Sequence, residues 1–230
     1  MSRYAIMRFQ KYKAGSVANI ERHQRHRNRL RNRIHPEREK ENRTWKRYEE
    51  TMTQTIRKAI KAQEQATGRK VRKDANVLCE LVLTFSPEME EQIKLPEWVN
   101  ANFQWITKTF GKGKMLRMDL NVDERTPHLH CFVIMTDENG RFNSSRFFNK
   151  KKQVVEMQDS YADAMKCFGL ERGLSKEQTG AKHQTLYEWR KAECERLEKE
   201  IADLTASIFA DGQEQTKDAT LCSDLFDDLR

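Results

Sequence analysis

The sequence predicts an α+β domain with a mainly antiparallel central sheet flanked by helices, followed by a long C-terminal helix. The coarse element order is β-α-α-β-α-β-β-α, without the strict alternation of strands and helices that is typical of parallel folds. Residues 115–122 and 128–135 form consecutive strand patterns joined by a short turn, which is most simply an antiparallel pair. A seven-residue repeat begins only after residue 183.

The N-terminal region combines one strand with a polar helix. Residues 3–10 alternate in character, which predicts a first strand. Ser16 is a candidate N-cap for a helix over 17–33, which is rich in Arg, Asn and His and has few apolar residues to bury. His35-Pro36 would end this helix, because the residue before a proline disfavours helical geometry.

Apolar periodicity predicts the elements that follow. The charged segment 36–66 contains an apolar stripe at spacings of three and four, which favours one amphipathic helix. Its members are Trp45, Tyr48, Met52, Ile56 and Ile60. Residues 76–85 are rich in β-forming side chains and predict a central strand, and Ser86-Pro87 is typical of a helix start. Further helices are predicted from Trp98 to Phe110 and over 150–169.

The C-terminal part has a different character. Two interleaved sets of residues recur there every seven positions. They are Tyr187, Cys194, Ile201 and Ile208, with Arg190, Leu197 and Leu204 between them. The pattern fits a coiled-coil stub of about three heptads, and it fits equally well one amphipathic helix that docks on its own domain. We predict a domain over 1–180, a C-terminal helix over 181–210 and an acidic, flexible tail over 211–230.

Composition predicts a cytoplasmic protein with a polyanionic partner. The longest apolar run, 131–135, is too short to span a membrane, and the N-terminus lacks the apolar block of a signal peptide. Five scattered cysteines without a CxxC pair argue against a disulfide framework. The net charge is +8, yet residues 1–73 contain 22 Lys/Arg and only 7 Asp/Glu. Such a basic end is suited to binding phosphates, and the plainer alternative is a solvated charged helix.

A His-x-His pair is the strongest candidate for chemistry. His128 and His130 alternate along a predicted strand, so both imidazoles lie on one side of the sheet. Upstream, Glu124 and Asn121 can supply oxygen to the same place. Two imidazoles and an oxygen suit a divalent cation with open coordination positions. The alternative is a strand that carries two outward histidines, and the nearby carboxylate counts against it.

The basic helix contains two further candidates, His23 and His26, which share a face because they lie three residues apart. Four arginines surround them: Arg22, Arg25, Arg27 and Arg29. This positive field favours a neutral, nucleophilic imidazole and would neutralise a phosphate under attack. Composition alone favours a plainer role in contacting phosphate or solvent. With the metal pair, the helix indicates metal-assisted attack on a phosphodiester, and the sequence contains no GxSxG, HExxH, Walker or GxGxxG motif.

Several ordered blocks resemble the Pre/Mob (MobV) family of plasmid mobilisation relaxases, members of the HUH endonuclease superfamily. The blocks are Ala5–Gly15, Arg22-His23-Gln24, Val71–Glu80, Asp123–His130 and Ala181-Lys182-His183. The resemblance runs from Met1 to about residue 200. Because the blocks occur in the same order as in the family, it is far more specific than a His-x-His pair alone. It implies an HUH relaxase-like fold and a site- and strand-specific enzyme that nicks and rejoins DNA at a transfer origin.

The resemblance also implies roles for individual residues. His23 takes the position of a histidine nucleophile that becomes joined to the 5′ phosphate, with His26 as the alternative nucleophile and Tyr48 as a more distant one. His128 and His130 take the positions of ligands to Mn²⁺ or Mg²⁺, and Glu124 that of a ligand or acid–base helper.

Asn121 departs from the family pattern, which usually has a third histidine there, and an amide oxygen is the weaker ligand. Arg25 or Arg27 would stabilise the phosphate during attack. The residues expected to contact DNA are Arg22, Arg25, Arg27, Arg29, Arg72 and Lys73.

The partner implied is the single strand or hairpin of a transfer origin in a bacterial cytoplasm. Dimerisation through the C-terminal helix stays open, because relatives have longer C-terminal extensions for dimerisation and membrane association. Two alternative functions also stay open. One is an HUH replication initiator or transposase-type nuclease with Tyr161 as nucleophile, and the other is a catalytically inactive DNA-binding regulator.

Overall fold

The computed structural model describes residues 2–26, 35–174 and 191–207, together with 178, 180 and 188, and gives only the backbone of Arg25 and His26. The strands are Tyr4–Lys13 (β1), Arg43–Lys46 (β2), Asn76–Phe85 (β3), Met115–Asn121 (β4), His128–Ile134 (β5) and Glu171–Arg172 (β6). The helices are Ala14–His26 (α1), Met52–Thr67 (α2), Leu95–Phe110 (α3), Ser145–Phe148 (α4) and Lys151–Met165 (α5). Short 3-10 helices span Pro36–Glu41, Pro87–Gln92 and Lys166–Phe168.

The strands form one sheet in the order β2-β4-β5-β3-β1-β6. All neighbouring pairs are antiparallel except β1 and β6, which run parallel. The chain divides into two compact units, Met1–Gly173, which contains the sheet, and Leu174–Arg230. The predicted α+β class with a mainly antiparallel sheet is therefore confirmed.

One face of the sheet is covered by the larger hydrophobic core. Residues 129, 131 and 133 of β5 and alternate residues of β3 contribute Leu129, Cys131, Val133, Leu81 and Leu83 to it. Helices α3 and α5 pack on this face through aromatic and apolar side chains, among them Trp98, Trp105, Ile106, Tyr161 and Met165. Because strand side chains alternate, the residues between these positions point to the opposite face.

The opposite face is divided along the strands. Phe132 and Ile134, at one end of β5, join a smaller core with Val17 of α1 and Met52 and Ile56 of α2. His128 and His130, at the other end of β5, lie on this same face. The smaller core therefore leaves room beyond it for a polar site on the sheet.

Two predicted elements differ from the structure. The stripe from Trp45 to Ile60 is not one helix, since Arg43–Lys46 is a strand and only Met52–Thr67 is helical. All four β2 residues are exposed at the sheet edge, so no alternation in the sequence reveals the strand. Ser86 does not cap a helix through its side chain, because its Oγ accepts a hydrogen bond from the Tyr4 backbone N–H at 2.8 Å.

The C-terminal unit contains a helix over 191–207. Leu197, Ile201 and Leu204 of the predicted repeat are exposed on it. Within the described ranges no helix is both long and apolar enough to cross a lipid bilayer. The predicted tail over 211–230 lies outside the described residues.

A buried carboxylate joins α1 to α2. Glu21 accepts hydrogen bonds from the backbone N–H groups of Met52 and Thr53 at 3.0 and 3.3 Å, and from the Thr53 hydroxyl at 2.8 Å. These N–H groups belong to the first turn of α2, which has no partners for them within the helix. Glu21 therefore satisfies the start of one helix while fixing the position of the other.

We predict that Glu21→Ala lowers the free energy of unfolding by about 1–3 kcal/mol, because it leaves buried backbone donors unsatisfied. Urea denaturation followed by circular dichroism measures the change. The control is Glu49→Ala, an exposed carboxylate in the bend before α2, for which a change within about 0.5 kcal/mol is expected. Equal unfolding midpoints for the two variants would contradict the anchoring role.

Candidate active site

Strand pairing places the His-x-His pair in the middle of the sheet. On β5, His128 lies opposite Thr84 of β3 and Asn121 of β4, and His130 lies opposite Val82 and Asp119. The two imidazole centroids are 5.1 Å apart. Directly opposite residues on one face are close neighbours, so Asn121 lies beside His128. The structure thus brings together Asn121, His128 and His130, three of the residues predicted to bind a metal ion.

The orientation of His130 is fixed by the carboxylate of Glu80, a residue to which the sequence alone gave no role. His130 Nδ1 lies 2.6 Å from Glu80 Oε1, and the Tyr12 hydroxyl donates to Glu80 Oε2 at 2.6 Å. An imidazole that donates from Nδ1 to a carboxylate presents the lone pair of Nε2 on its other side. His130 Nε2 is buried and has no hydrogen-bond partner within the described part of the chain.

His128 is oriented in the same sense by the backbone. Its Nδ1 lies 3.0 Å from the carbonyl oxygen of Thr126, which can only accept, so Nδ1 carries the proton. Its Nε2 lies 3.8 Å from Glu124 Oε2. Both histidines therefore present Nε2 as a lone-pair donor, and a carboxylate stands near one of them.

The residues present fit a divalent cation with two imidazole ligands. A buried Nε2 without a partner is costly unless a ligand satisfies it. Among the described residues, no three His, Cys, Asp or Glu side chains are gathered closely enough to hold a metal ion. The third donor would therefore be the oxygen of the Asn121 amide, or Glu124 after a side-chain rotation.

Burial and the neighbouring Glu80 shape the chemistry of Tyr12. Burial, followed by the hydrogen bond to Glu80 and its negative charge, raises the pKa of Tyr12 well above the ordinary value. Tyr12 therefore remains a protonated donor at neutral pH. The Glu80 carboxylate in turn keeps its second oxygen for His130.

A cleft of about 550 Å³ is lined by residues of β4, the strand that pairs with the histidine strand, and neither His128 nor His130 is among the described residues of its lining. Asn121 and Asp119 of β4 line it, as do Gln24 of α1 and residues of the segment 36–44. Asp119 is held by Arg117 Nε at 2.7 Å and by the Thr44 hydroxyl at 2.6 Å. Because Gln24 lines this cleft, α1 borders the same space as Asn121.

The candidate nucleophile precedes Gln24 in the sequence, and it is not among the described residues that line the cleft. His23 is exposed on α1 immediately before the buried Gln24, and Arg22 is also exposed. The side chains of Arg25 and His26, and all of Arg27 and Arg29, lie outside the described residues. Arg72 and Lys73 are exposed in the loop after α2, beyond the smaller core and away from the histidine end of β5.

Tyr161 is excluded as a nucleophile by its position. It is 1% exposed in the larger core, where its ring contacts Trp105 with centroids 4.9 Å apart. This core lies on the face of the sheet opposite to His128 and His130.

Tyr12 and Glu80 are the site residues that the sequence did not predict. The signal that could have found Glu80 is a carboxylate within the otherwise apolar strand NVLCELVLTF.

A family model shows to which group of proteins the chain belongs. The family model described as plasmid recombination enzyme (Mob/Pre) matches residues 1–191. The chain belongs to this family, as its ordered sequence blocks indicated.

Two curated relatives show how much of the family's length is present. The 65 kDa protein of Zymomonas mobilis is 32% identical over 179 residues, which cover 76% of this chain and 30% of that protein. The plasmid recombination enzyme of Bacillus thuringiensis is 27% identical over 206 residues, which cover 85% of this chain and 45% of that protein. The chain therefore spans less than half the length of these relatives.

Solved structures show the same fold. The Mn-bound MobM relaxase domain in complex with plasmid pMV158 oriT DNA matches with a TM-score of 0.69 and 23% identity. The match covers 82% of this chain and 99% of that chain. A second crystal structure of the MobM relaxase domain, with a 23-nucleotide oriT DNA, gives a TM-score of 0.69 at 24% identity. This chain therefore has the fold of a relaxase domain.

We predict that Glu80→Gln lowers the affinity for Mn²⁺ by about 10–100-fold, because outer-shell partners orient metal-ligating histidines and raise their basicity. Isothermal titration calorimetry of the purified chain measures it, and circular dichroism checks that the fold persists. Glu97→Gln, an exposed carboxylate on α3, serves as the control. An unchanged affinity in Glu80→Gln would show that Glu80 does not orient a metal ligand.

Proposed function

We propose that this chain acts as the relaxase of a plasmid or mobile element, nicking and rejoining one DNA strand at a transfer origin. The observation that carries the proposal is the pair His128 and His130, whose Nδ1 atoms contact the Thr126 carbonyl and Glu80, so that both rings direct Nε2 away from these partners on one sheet face. Membership in the plasmid recombination enzyme family and the MobM-like fold support it. That neighbour is bound to Mn and to oriT DNA.

His128 and His130 would hold Mn²⁺ or Mg²⁺ through Nε2, with Asn121 or Glu124 completing the ligand set. The bound cation would act as a Lewis acid toward the scissile phosphate and hold it in place. Glu80 and the Thr126 carbonyl keep the two imidazoles in the required tautomer without further rearrangement.

His23 would be the nucleophile. The lone pair of its neutral imidazole attacks phosphorus, so that an N–P bond forms as the P–O3′ bond breaks. The leaving 3′ oxygen takes a proton and becomes a 3′-OH, while the imidazole loses the proton of its other nitrogen. Glu124 would carry that proton, and Arg25 would neutralise charge on the phosphate.

The product would be a phosphoramidate that joins His23 to the 5′ end of the nicked strand. Attack of the free 3′-OH on this phosphorus reverses the step and restores the phosphodiester. The substrate would be single-stranded or hairpin DNA in a bacterial cytoplasm, contacted by Arg22, Arg25, Arg27 and Arg29. Dimerisation through the C-terminal helix is a separate proposal, consistent with the exposed Leu197, Ile201 and Leu204.

A catalytically inactive DNA-binding regulator is the second candidate, and Asn121 favours it because an amide replaces an imidazole ligand. It predicts tight, salt-sensitive binding without cleavage. An assay for nicking of supercoiled plasmid separates the two functions.

We predict that the protein with Mn²⁺ converts supercoiled plasmid carrying its origin to open circles and forms a covalent protein–DNA adduct. His23→Ala should lower nicking by about 10³-fold or more and abolish the adduct, because the nucleophile is lost. Gel electrophoresis measures nicking, and mass spectrometry locates the adduct.

Tyr161→Phe is the control for nicking, since it removes only a buried hydroxyl, and it should nick like the wild type. Loss of the adduct in His26→Ala with retention in His23→Ala would transfer the nucleophile to His26. Binding without nicking at any origin tested would favour the regulator.

We predict that Asn121→His raises the affinity for Mn²⁺ at least about tenfold, because imidazole is a stronger ligand than an amide for borderline divalent ions. Asn121→Ala should lower the affinity if the amide is a ligand. Calorimetric titration of both variants measures this, and unchanged affinities in both would assign the third position to Glu124.

A further inference from the structure

The strand β1 leaves most of one edge without a neighbouring strand. On one side it pairs with β3 from Ala5 to Lys13. On the other side β6 pairs only with Tyr4 and Ala5. Within the described part of the chain, β1 therefore has no strand partner on that side beyond Ala5. We call the stretch 7–11 of this side the open edge.

Backbone hydrogen bonds show which residues of β1 face the open edge. The Arg3 carbonyl accepts a hydrogen bond from the Glu171 N–H of β6 at 2.6 Å. The next carbonyl, that of Tyr4, accepts one from the Ser86 N–H, directly after β3, at 3.1 Å. Successive residues of a strand direct their N–H and C=O groups to opposite edges. The odd-numbered residues of β1 therefore present a row of donors and acceptors along the open edge.

A groove of about 240 Å³ lies beside the beginning of this edge. Residues 5–8 of β1 line one side of it, and Gln158 and Tyr161 of α5 line another. Arg172, the last residue of β6, and Gly173 after it complete the lining. The groove therefore lies where β6 stops, so that a further strand placed there would continue the sheet.

The end of this groove is held in place by Arg172. Its Nε donates a hydrogen bond to Asp159 Oδ1 of α5 at 2.8 Å, and its Nη2 donates to Gln158 Oε1 at 2.7 Å. These contacts join β6 to the helix that borders the groove. A site that is formed before its ligand arrives loses less conformational entropy on binding.

The two faces of the sheet offer different side chains along the open edge. Met7 is buried in the larger core and Phe9 packs against that core, while Arg8 between them is exposed on the opposite face. On α5, Val155 is 38% exposed and lies about one helical turn before Gln158, which lines the groove. An added strand would therefore place alternate side chains beside apolar groups and beside a cation.

The exposed side chains of the open edge are positively charged. Arg8 and Lys11 are both exposed, and among the described residues neither has a carboxylate within 4.0 Å. Lys11 Nζ lies 5.9 Å from the centroid of the Phe148 ring. Like charges on facing strands are destabilising and oppose pairing with the same edge of a second copy, whereas carboxylates opposite these cations are favourable.

The backbone of the open edge distinguishes a peptide from a nucleic acid. Phosphate groups of DNA accept hydrogen bonds and do not donate them, so they leave the carbonyl groups of a strand edge without partners. An extended peptide has alternating N–H and C=O groups and satisfies both, which is the basis of recognition by strand addition. The row of donors and acceptors therefore favours a peptide.

We propose that the open edge of β1 binds an extended acidic segment of a partner protein by strand addition. The segment continues the line of β6, with apolar side chains on the face of Met7 and Phe9 and carboxylates on the face of Arg8. This function goes beyond the proposed relaxase activity and does not depend on it, because β3 separates β1 from the histidine strand β5. The surface would connect the domain to another protein without blocking the histidine pair.

The first test measures amide hydrogen exchange of the free protein by NMR, and β1 supplies its own control. The N–H groups of Arg8 and Gln10 face β3 and should be protected. Those of Phe9 and Lys11 face the open edge and should exchange at least about 100-fold faster. Equal protection of the two sets would show that another part of this chain already covers the edge, and it would overturn the proposal.

The second test titrates the protein, in EDTA, with the peptide acetyl-Val-Glu-Val-Glu-Val-Glu-amide. Matched probes are the peptide with Lys in place of each Glu and a 20-nucleotide oligo-dT strand. We expect the acidic peptide to bind at least about tenfold more tightly than the basic one and to slow exchange at Phe9 and Lys11. Equal affinities for the two peptides, or slowed exchange at these amides with oligo-dT, would contradict an acidic protein partner.

The third test uses substitutions on the open edge. Lys11→Pro removes an N–H that faces away from β3, so the pairing of β1 with β3 is retained. It should lower the affinity for the acidic peptide at least about fivefold relative to Lys11→Gln, which removes the charge alone. Arg8→Gln should weaken binding of the acidic peptide and not of the basic one, and thermal unfolding shows whether each variant folds.

Equal affinities of Lys11→Pro and Lys11→Gln for the acidic peptide would show that the backbone of the open edge is not used. If Lys11→Pro does not fold, the exchange measurements and Arg8→Gln decide the question. Unchanged binding of the acidic peptide by Arg8→Gln would remove the reason for an acidic partner. Either of these results would overturn the proposal without bearing on nicking.

Discussion

The hydrogen bonds of the buried Glu80 carboxylate hold the site together. Tyr12, Glu80 and His130 belong to the neighbouring strands β1, β3 and β5, so one chain of hydrogen bonds crosses three strands. A buried carboxylate is costly unless it is hydrogen-bonded, and here two donors offset that cost. The same arrangement selects the tautomer of His130. Stability and chemistry therefore depend on one set of contacts.

Apart from these contacts, most of the apolar packing and the candidate site occupy different parts of the sheet. They differ in the face of the sheet and in the end of the strand on which they lie. Alternation along β5 sends Leu129, Cys131 and Val133 into the larger core, while His128 and His130 point to the opposite face. The smaller core then covers only one end of that face. The anchored helix α1 reaches from this core to the polar cleft, where Gln24 is buried. A helix fixed through Glu21 can hold Gln24 at the cleft without contributing much apolar surface.

Much of the fold follows from the sequence because strong local patterns decide it. Residues 76–85 were predicted as a strand and form β3 with the same bounds, and the His-x-His strand was placed within one residue. β2 was missed because an exposed edge strand has no buried alternation, and α1 begins at Ala14, before the proposed Ser16 cap. The exposed strand β2 therefore has no local signal that identifies it, whereas α1 was identified as a helix and only its first residue was wrong.

The site was predictable in part for the same reason. His128, His130, Glu124 and Asn121 are close in sequence, so local geometry was enough to group them. Glu80 and Tyr12 lie 50 and 68 residues away from their respective partners. Only the register between β1, β3 and β5 brings them together, and a single sequence does not contain that register. The Glu within NVLCELVLTF showed that a partner was needed without showing which one.

The positive charge of the N-terminal third is not concentrated in the cleft that Asn121 lines. Residues 1–73 hold a large excess of Lys and Arg, yet this cleft has a balanced lining, with Arg117 committed to Asp119. A balanced lining suits a site that must distinguish one phosphate by geometry, since excess charge would attract any phosphate equally.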